Sequence, residues 1–484
     1  MKSIVGASIV SIITESLYDK PIVVFREYTQ NAVDSISQVS SNISPDSLGV
    51  QIWYDENNLY FVDNGRGIAE QDFLSKMRSI ANSDKSKIEN IGYKGIGRLS
   101  GISYCQKLSF INILDYSSNK FQQYDIDCQA YYLLRKQPDF NTLTFDALME
   151  KIGSCTIVDD FSSIKILAEK HGSLFENRKT GFLVVLENIS PVLKSAIQDK
   201  QLIDELSWLL PVPFSECLLR EEPFISLSTT AATESNSLIP AKAYHIFLNG
   251  NRLERPLKKD MFRSYLCTSQ MDQYGICLHA FSNHKIVIDK ANPFTGIRIY
   301  LDNMLLCDEK ELIPALIQYG LTSHTQNELI QTVRGIGALI YIVDKVSISA
   351  NARRTFIDVT DTDAISFLQY IAEFIEKVYR TRYALSEYSS AKEKGENDAQ
   401  KLLQHRDKAI SALEDLASSH VELEDSPVES IDFNSMTLTE QKKIVKKEIT
   451  KELNASIKKY LAQINTFSLE TCFEDFKTWL RANK

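Results

Sequence analysis

The sequence predicts an α/β protein of two or three domains, and three observations carry that prediction. Strand-like alternation and helical periodicity interleave along much of the chain, which implies sheets covered by helices. A chain of 484 residues exceeds what one hydrophobic core organises. Three short polar and glycine-rich motifs also fall in order within one domain's length, between residues 25 and 101.

The first motif is Phe25-Arg26-Glu27-Tyr28-Thr29-Gln30-Asn31-Ala32-Val33-Asp34, in which Glu27, Asn31 and Asp34 recur at i, i+4 and i+7. That spacing puts all three on one face of a helix. Phe25, Tyr28, Ala32, Val33 and Ile36 claim most of the remaining circumference, so the polar stripe is expected to look into a cavity. The second motif, Phe61-Val62-Asp63-Asn64-Gly65-Arg66-Gly67-Ile68, follows an alternating run (Val50, Ile52, Tyr54, then residues 59–62) that reads as a hairpin. An aspartate ending a buried strand, followed by two glycines, suits a base-reading carboxylate beside a backbone that approaches a ligand closely. The third, Ile91-Gly92-Tyr93-Lys94-Gly95-Ile96-Gly97-Arg98-Leu99-Ser100-Gly101, is a glycine-rich loop before a helix. Free backbone N–H groups at such a junction form an anion site, where phosphates should lie. No strand-glycine-helix unit with an acidic residue at the right distance follows, which argues against a dinucleotide-binding turn.

Together these motifs resemble the GHKL family, the Bergerat fold shared by gyrase, the ninety-kilodalton heat-shock chaperones, histidine kinases and MutL. Ile80-Ala81-Asn82-Ser83-Asp84-Lys85, and the run from Ile91 to Gly101 followed by Leu108-Ser109-Phe110-Ile111, are most similar to the HtpG-like chaperone class. The resemblance implies an α+β sandwich that binds ATP with Mg²⁺ and hydrolyses it slowly. It implies Glu27 as the general base that orients the attacking water, Asn31 as the Mg²⁺ ligand and Asp34 as a supporting acid. Asp63 would accept the adenine amino group, with Gly65 and Gly67 letting the base come close. Gly92, Lys94, Gly95 and Gly97 would wrap the phosphates, and residues 82–98 would form a lid. Lys179-Thr180-Gly181-Phe182-Leu183-Val184-Val185-Leu186 matches the family's late strand, with Thr180 at the adenine. The order here is Thr-Gly, where the family more often has Gly-Thr.

The amino-terminal residues 8–18 read as a helix beside the nucleotide helix, either a plain packing helix or a segment resembling the one that chaperone-class dimers exchange. Residues 107–127 continue the sheet as strand, turn and strand, and a helix is expected around residues 161–170. The ATP-binding domain is expected over residues 1–195 and an inter-domain connection over 196–240, with a helix at 202–210 and a Ser/Thr-rich loop at 228–237. An α/β middle or transducer domain would span 241–388. It would open with Ala243-Tyr244-His245-Ile246-Phe247-Leu248 and hold strands at 276–281, 296–301 and 339–343 with a helix at 309–319.

Arg298-Ile299-Tyr300-Leu301-Asp302-Asn303 and Ser347-Ile348-Ser349-Ala350-Asn351-Ala352-Arg353-Arg354-Thr355-Phe356 look like the chaperone middle domain and its catalytic-arginine loop. Asn351 favours Arg354, while the spacing to Phe356 keeps Arg353 open. Such a guanidinium would stabilise charge spread over the γ-phosphoryl oxygens. Residues 389–484 are expected to be helical, with an acidic segment at 421–430 and a basic helix at 438–479, as a partner or dimer surface.

The net charge of −9 disfavours a surface devoted to nucleic acid. Eight cysteines without a CxxC pair point to free thiols in a reducing cytosol, hence a cytoplasmic protein. No apolar run approaches about twenty residues, so no membrane span is expected. The expected partners are ATP, a second copy in a homodimer and an unidentified client or partner protein. The alternative is an ATP-gated dimeric clamp of the MORC or MutL type acting on DNA, since Gly97-Arg98-Leu99-Ser100-Gly101 looks something like the MORC loop.

Overall fold

The computed structural model describes residues 5–14, 20–39, 48–79, 96–158, 172–175, 178–214, 243–255, 264–271, 276–282, 295–342, 348–351, 355–361, 363–393 and 399–417. The chain is mixed α/β and divides into two compact units. The first draws on residues 1–213, 242–256 and 302–304.

Its sheet has eight strands: β1 (Gly49–Tyr54), β2 (Leu59–Asp63), β3 (Lys107–Asp115), β4 (Lys120–Asp127), β5 (Gly153–Val158), β6 (Gly181–Glu187), β7 (His245–Leu248) and β8 (Asn251–Arg252). Their order is β5-β4-β3-β6-β2-β1-β7-β8. Neighbours are antiparallel except β1 and β7, which run parallel. The alternating run becomes the hairpin β1–β2, closed at the pair Tyr54 and Leu59. Asp55 Oδ1 caps its turn by accepting from the N–H groups of Asn57 and Asn58, each at 2.8 Å.

Strand alternation sorts the two faces. One face presents Phe61, Phe110 and Phe182 to the helix α2 (Ile22–Ser37) and to Phe73 at the head of α3 (Phe73–Arg78). Asp63 and Asn112 share this face by their parity with Phe61 and Phe110. The opposite face buries Trp53, Val62, Ile111, Ile113, Phe121, Leu183 and Val185 under Phe175. Apolar residues on both faces make the central strands nearly continuous hydrophobic runs.

The sequence reading of residues 8–18 as one helix meets a shorter α1 (Ser8–Ile12), with residues 15–19 outside those described. Ser11 Oγ lies 3.0 Å from the Tyr131 hydroxyl, and Gly6 bridges Thr144. Two helices absent from the sequence reading follow β4. They are α4 (Cys128–Arg135), capped by Asp127, and α5 (Phe145–Ile152), capped by Thr144. The helix expected at 161–170 lies outside the described residues. Ser190 caps α6 (Pro191–Ile197), and the helix expected at 202–210 is α7 (Leu202–Leu209).

One strand sits elsewhere than expected. Residues 243–248 read as the opening of the second domain, yet β7 pairs with β1 in the first sheet, Val50 opposite Ile246. Arg255, fully buried, closes this addition by donating to the carbonyl of Asn303 at 2.7 Å.

The second unit carries a five-stranded sheet of β9 (Ser264–Met271), β10 (Ile276–Ser282), β11 (Gly296–Leu301), β12 (Met304–Asp308) and β13 (Ile336–Ile342), in the order β12-β11-β13-β10-β9. β11 and β13 are parallel, joined through β12 and the helices α8 (Glu309–Gln318) and α9 (Gln326–Val333). Both helices start with a reciprocal capping box, Asp308 with Glu311 and Thr325 with Glu328. The core joins Ile297, Ile299, Ile340 and Ile342 to Leu312, Leu316, Phe367, Leu368, Ile371 and Ile375.

The periodic segment beyond residue 360 forms α10 (Ala364–Glu393), which pairs antiparallel with α11 (Ala399–Ala417). Thr381 Oγ1 donates to the Ala412 carbonyl at 2.9 Å, and Lys408 meets Glu387 at 2.8 Å. The loop expected at 228–237, the acidic segment at 421–430 and the basic helix at 438–479 lie outside the described residues. Among those described, no helix is long and apolar enough to cross a membrane.

Candidate functional site

The site begins with α2, a helix buried on nearly every side. Phe25, Tyr28, Ala32, Val33 and Ile36 are buried as expected, and Glu27 and Asp34 are also buried, at 3% and 1% exposure. Asn31, between them, is half-buried. A carboxylate withdrawn from water is costly unless the surroundings or a ligand compensate it, so the stripe is not a solvated face. Asp34 lies within electrostatic reach of Tyr244, just before β7. Burial first, then the Asp34 and Asp302 charges, push the Tyr244 phenol up to about 12.

The turn after β2 forms the second wall. Asp63, 4% exposed, accepts from the Gly65 N–H at 2.9 Å through Oδ1. Asn64 is fully buried, accepting from Gly49 N at 3.0 Å and donating to the Leu174 carbonyl at 2.7 Å. Gly67 has φ of +67°, and a Cβ there would lie 3.1 Å from Asn112 Oδ1 and from the Gly181 carbonyl. Only glycine takes that backbone without strain. Asn112 then grips the next residue with both ends of its amide, accepting from Ile68 N at 2.9 Å and donating to Ile68 O at 2.7 Å.

Thr180 stands at this end of the site, immediately before β6. Its hydroxyl donates to the Gly65 carbonyl at 2.9 Å, and β6 runs beside Asp63 through the pair Asp63 and Phe182. The inverted Thr-Gly order therefore still brings a threonine hydroxyl to the turn that follows Asp63.

The third motif ends against the first. Gly97 opens a 3-10 helix, Gly97–Tyr104, and a Cβ added to Gly97 would fall on the Glu27 carboxylate. The absence of a side chain is what lets the loop end cross Glu27. Tyr28, one residue along α2, locks the crossing: its hydroxyl donates to the Arg98 carbonyl and accepts from Gly101 N, both at 2.9 Å. Burial holds the Tyr28 phenol well above its ordinary value, so it stays a neutral donor. Burial also pulls the Arg98 guanidinium down to about 10, which leaves it charged at neutral pH.

Glu27 and Gly97 are thus brought together, as are Asp63, Gly65, Gly67 and Thr180, with Asn31 between Glu27 and Asp34 on α2. Gly92, Lys94, Gly95, Arg353 and Arg354 lie outside the described residues. Sequence reasoning passed over Asn112, Asn64 and Arg178. Asn112 carries a signal in retrospect, a polar residue on the helix-facing side of an otherwise apolar strand. Arg178 carries none, because its carbonyl partners, Asn64 and Gly65, lie more than a hundred positions away.

Two features fit a nucleotide and its cation. At Gly97 a side chain would collide with the Glu27 carboxylate and at Gly67 it would press on Asn112 Oδ1 and the Gly181 carbonyl, so bare backbone lines the site at both points, as close approach to a nucleotide needs. Asn31 offers a single neutral oxygen, which suits Mg²⁺ that keeps most of its coordination for phosphates and water.

Residues 20–148 of the chain match the family model described as histidine kinase-, DNA gyrase B- and HSP90-like ATPase. The match runs from the start of α2 into α5, takes in all three motifs and places this segment in the GHKL ATPase superfamily. No curated protein matches the chain.

Proposed function

We propose that this protein is a Mg²⁺-dependent ATPase of chaperone-like type, whose ATP cycle drives lid closure and a domain or dimer rearrangement. One observation above all supports it: a buried glutamate on α2 lies directly under the glycine that ends the phosphate loop. In this reading Asp63 accepts the adenine amino group, Gly67 lets the ring approach, and Thr180 steadies the turn between them. The phosphates lie along the loop that ends at Gly97, with Gly92, Lys94 and Gly95 completing it. Glu27 orients the attacking water and takes its proton. Asn31 would hold Mg²⁺, which when bound neutralises phosphate charge. Arg354, or Arg353 beside it, supplies the guanidinium that meets the γ-phosphoryl oxygens. Asp34 supports the stripe from the Tyr244 end.

The likeness of Gly97-Arg98-Leu99-Ser100-Gly101 to the MORC loop keeps a DNA clamp as the competing reading. Steady-state Mg-ATP turnover with and without duplex DNA, across a salt series, separates the two. The chaperone-like reading expects a rate indifferent to DNA. Stimulation that falls steeply with salt would instead mark a protein exchanging counterions with phosphates, as a clamp must.

A further inference from the structure

Arg178 is absorbed by none of the roles above, yet its guanidinium is spent on the turn that follows Asp63. Its Nε donates to the Asn64 carbonyl at 3.1 Å, and its Nη2 donates to the Gly65 carbonyl at 3.2 Å and to Thr180 Oγ1 at 3.2 Å. The Asn64 carbonyl and the Gly65 N–H belong to one peptide plane. That N–H donates to Asp63 Oδ1, so one peptide unit is held by Arg178 at its oxygen and holds the Asp63 carboxylate by its nitrogen. A cation at the carbonyl end polarises the amide and strengthens the N–H as a donor. The next carbonyl, that of Gly65, is fixed twice, by Arg178 and by Thr180. The side chain of Asn64 is anchored separately on Gly49 and Leu174, so Arg178 supplies the donor at the carbonyl end of this plane.

We infer that Arg178 is a positioning residue for base selection: it aims the Asp63 carboxylate, and through it sets how strongly this site prefers a nucleotide bearing a 6-amino group. The inference rests on the ATP-binding reading and deepens it. A carboxylate hydrogen bond is directional, so a small rotation of this plane costs discrimination before it costs phosphate binding. Lysine cannot replace the fork, because a single ammonium does not span two carbonyls and a hydroxyl in one plane.

The test compares dissociation constants for ATP and for purine riboside triphosphate, which lacks the 6-amino group, in the intact chain and in Arg178→Ala, Arg178→Gln and Arg178→Lys. The wild type is expected to favour ATP by about tenfold or more, the size of one charge-assisted hydrogen bond. Arg178→Ala should bring that ratio close to one while affinity for the purine analogue changes little, with Arg178→Lys between the two. Thermal melting of each variant identifies any that fails to fold, and Arg178→Gln and Arg178→Lys then carry the same comparison. If every folded variant keeps the wild-type ratio while both affinities fall together, Arg178 only supports the fold and the inference is overturned. A wild type that binds neither nucleotide refutes the ATP reading itself. One that binds both equally refutes base recognition by Asp63, and the inference with it.

Discussion

At the scale of single residues, the proposed chemistry rests on the contact between Gly97 and Glu27. The loop end crosses the carboxylate so closely that no side chain fits between them, and a base misplaced by about an ångström can cost about a hundredfold in rate. Gly97→Ala should therefore lower kcat by about that factor while ATP affinity falls far less, as read by single-turnover hydrolysis beside equilibrium binding. Equal losses in both would mean that Gly97 shapes the phosphate cradle and leaves Glu27 undisturbed. Glu27, Asn31 and Asp34 were legible in the sequence because helical spacing puts them on one face whatever the tertiary context. Gly67 was legible because an Asp-x-Gly-x-Gly run after a strand implies a backbone that side chains would obstruct. Arg178 was not, since an isolated arginine on a loop carries no periodicity and its carbonyl partners are set by a fold not yet known.

At the scale of elements, the junction of α2 with the 3-10 helix Gly97–Tyr104 is held by one phenol with two bonds. Tyr28→Phe keeps the ring against Phe61 and Phe110, at 5.3 and 6.5 Å, and removes only the hydroxyl. The buried Gly101 N–H then loses its partner, at a cost of about 1–3 kcal/mol. Urea denaturation should register that loss, and ATP affinity should drop as the loop end loosens. An unchanged denaturation midpoint would show that the hydroxyl bonds add nothing beyond the packing. The hairpin β1–β2, strands β3, β4, β6 and β11 and helices α8 and α10 could be read from alternation and period, because each declares itself locally. The place of β7 could not. Its periodicity is that of any short strand, and its pairing with β1 joins positions nearly two hundred residues apart. The helices α4 and α5 were missed because eight-residue helices offer barely two turns of pattern, and their caps Asp127 and Thr144 lack a long apolar repeat to frame them.

At the scale of the whole molecule, the proposed mechanism takes its final catalytic charge from Arg354 or Arg353, which follow Ile348-Ser349-Ala350-Asn351 in the sequence. Arg354→Ala is expected to lower kcat by about three orders of magnitude with ATP binding intact, as loss of a transition-state guanidinium does. Arg353→Ala should have a small effect. The reverse pattern would transfer the role to Arg353, and two silent variants would remove both from the mechanism. The central claim is that α2, the turn after β2 and the loop that ends at Gly97 form a working ATP site with separable binding and chemical parts. Its most direct test is Mg-ATP hydrolysis by the intact chain beside Glu27→Ala and Asp63→Asn, with nucleotide binding scored in parallel. The wild type is expected to turn over, Glu27→Ala to bind without turning over, and Asp63→Asn to fail to bind. If all three bind alike, or none binds, the pocket does not lie between α2 and the turn after β2.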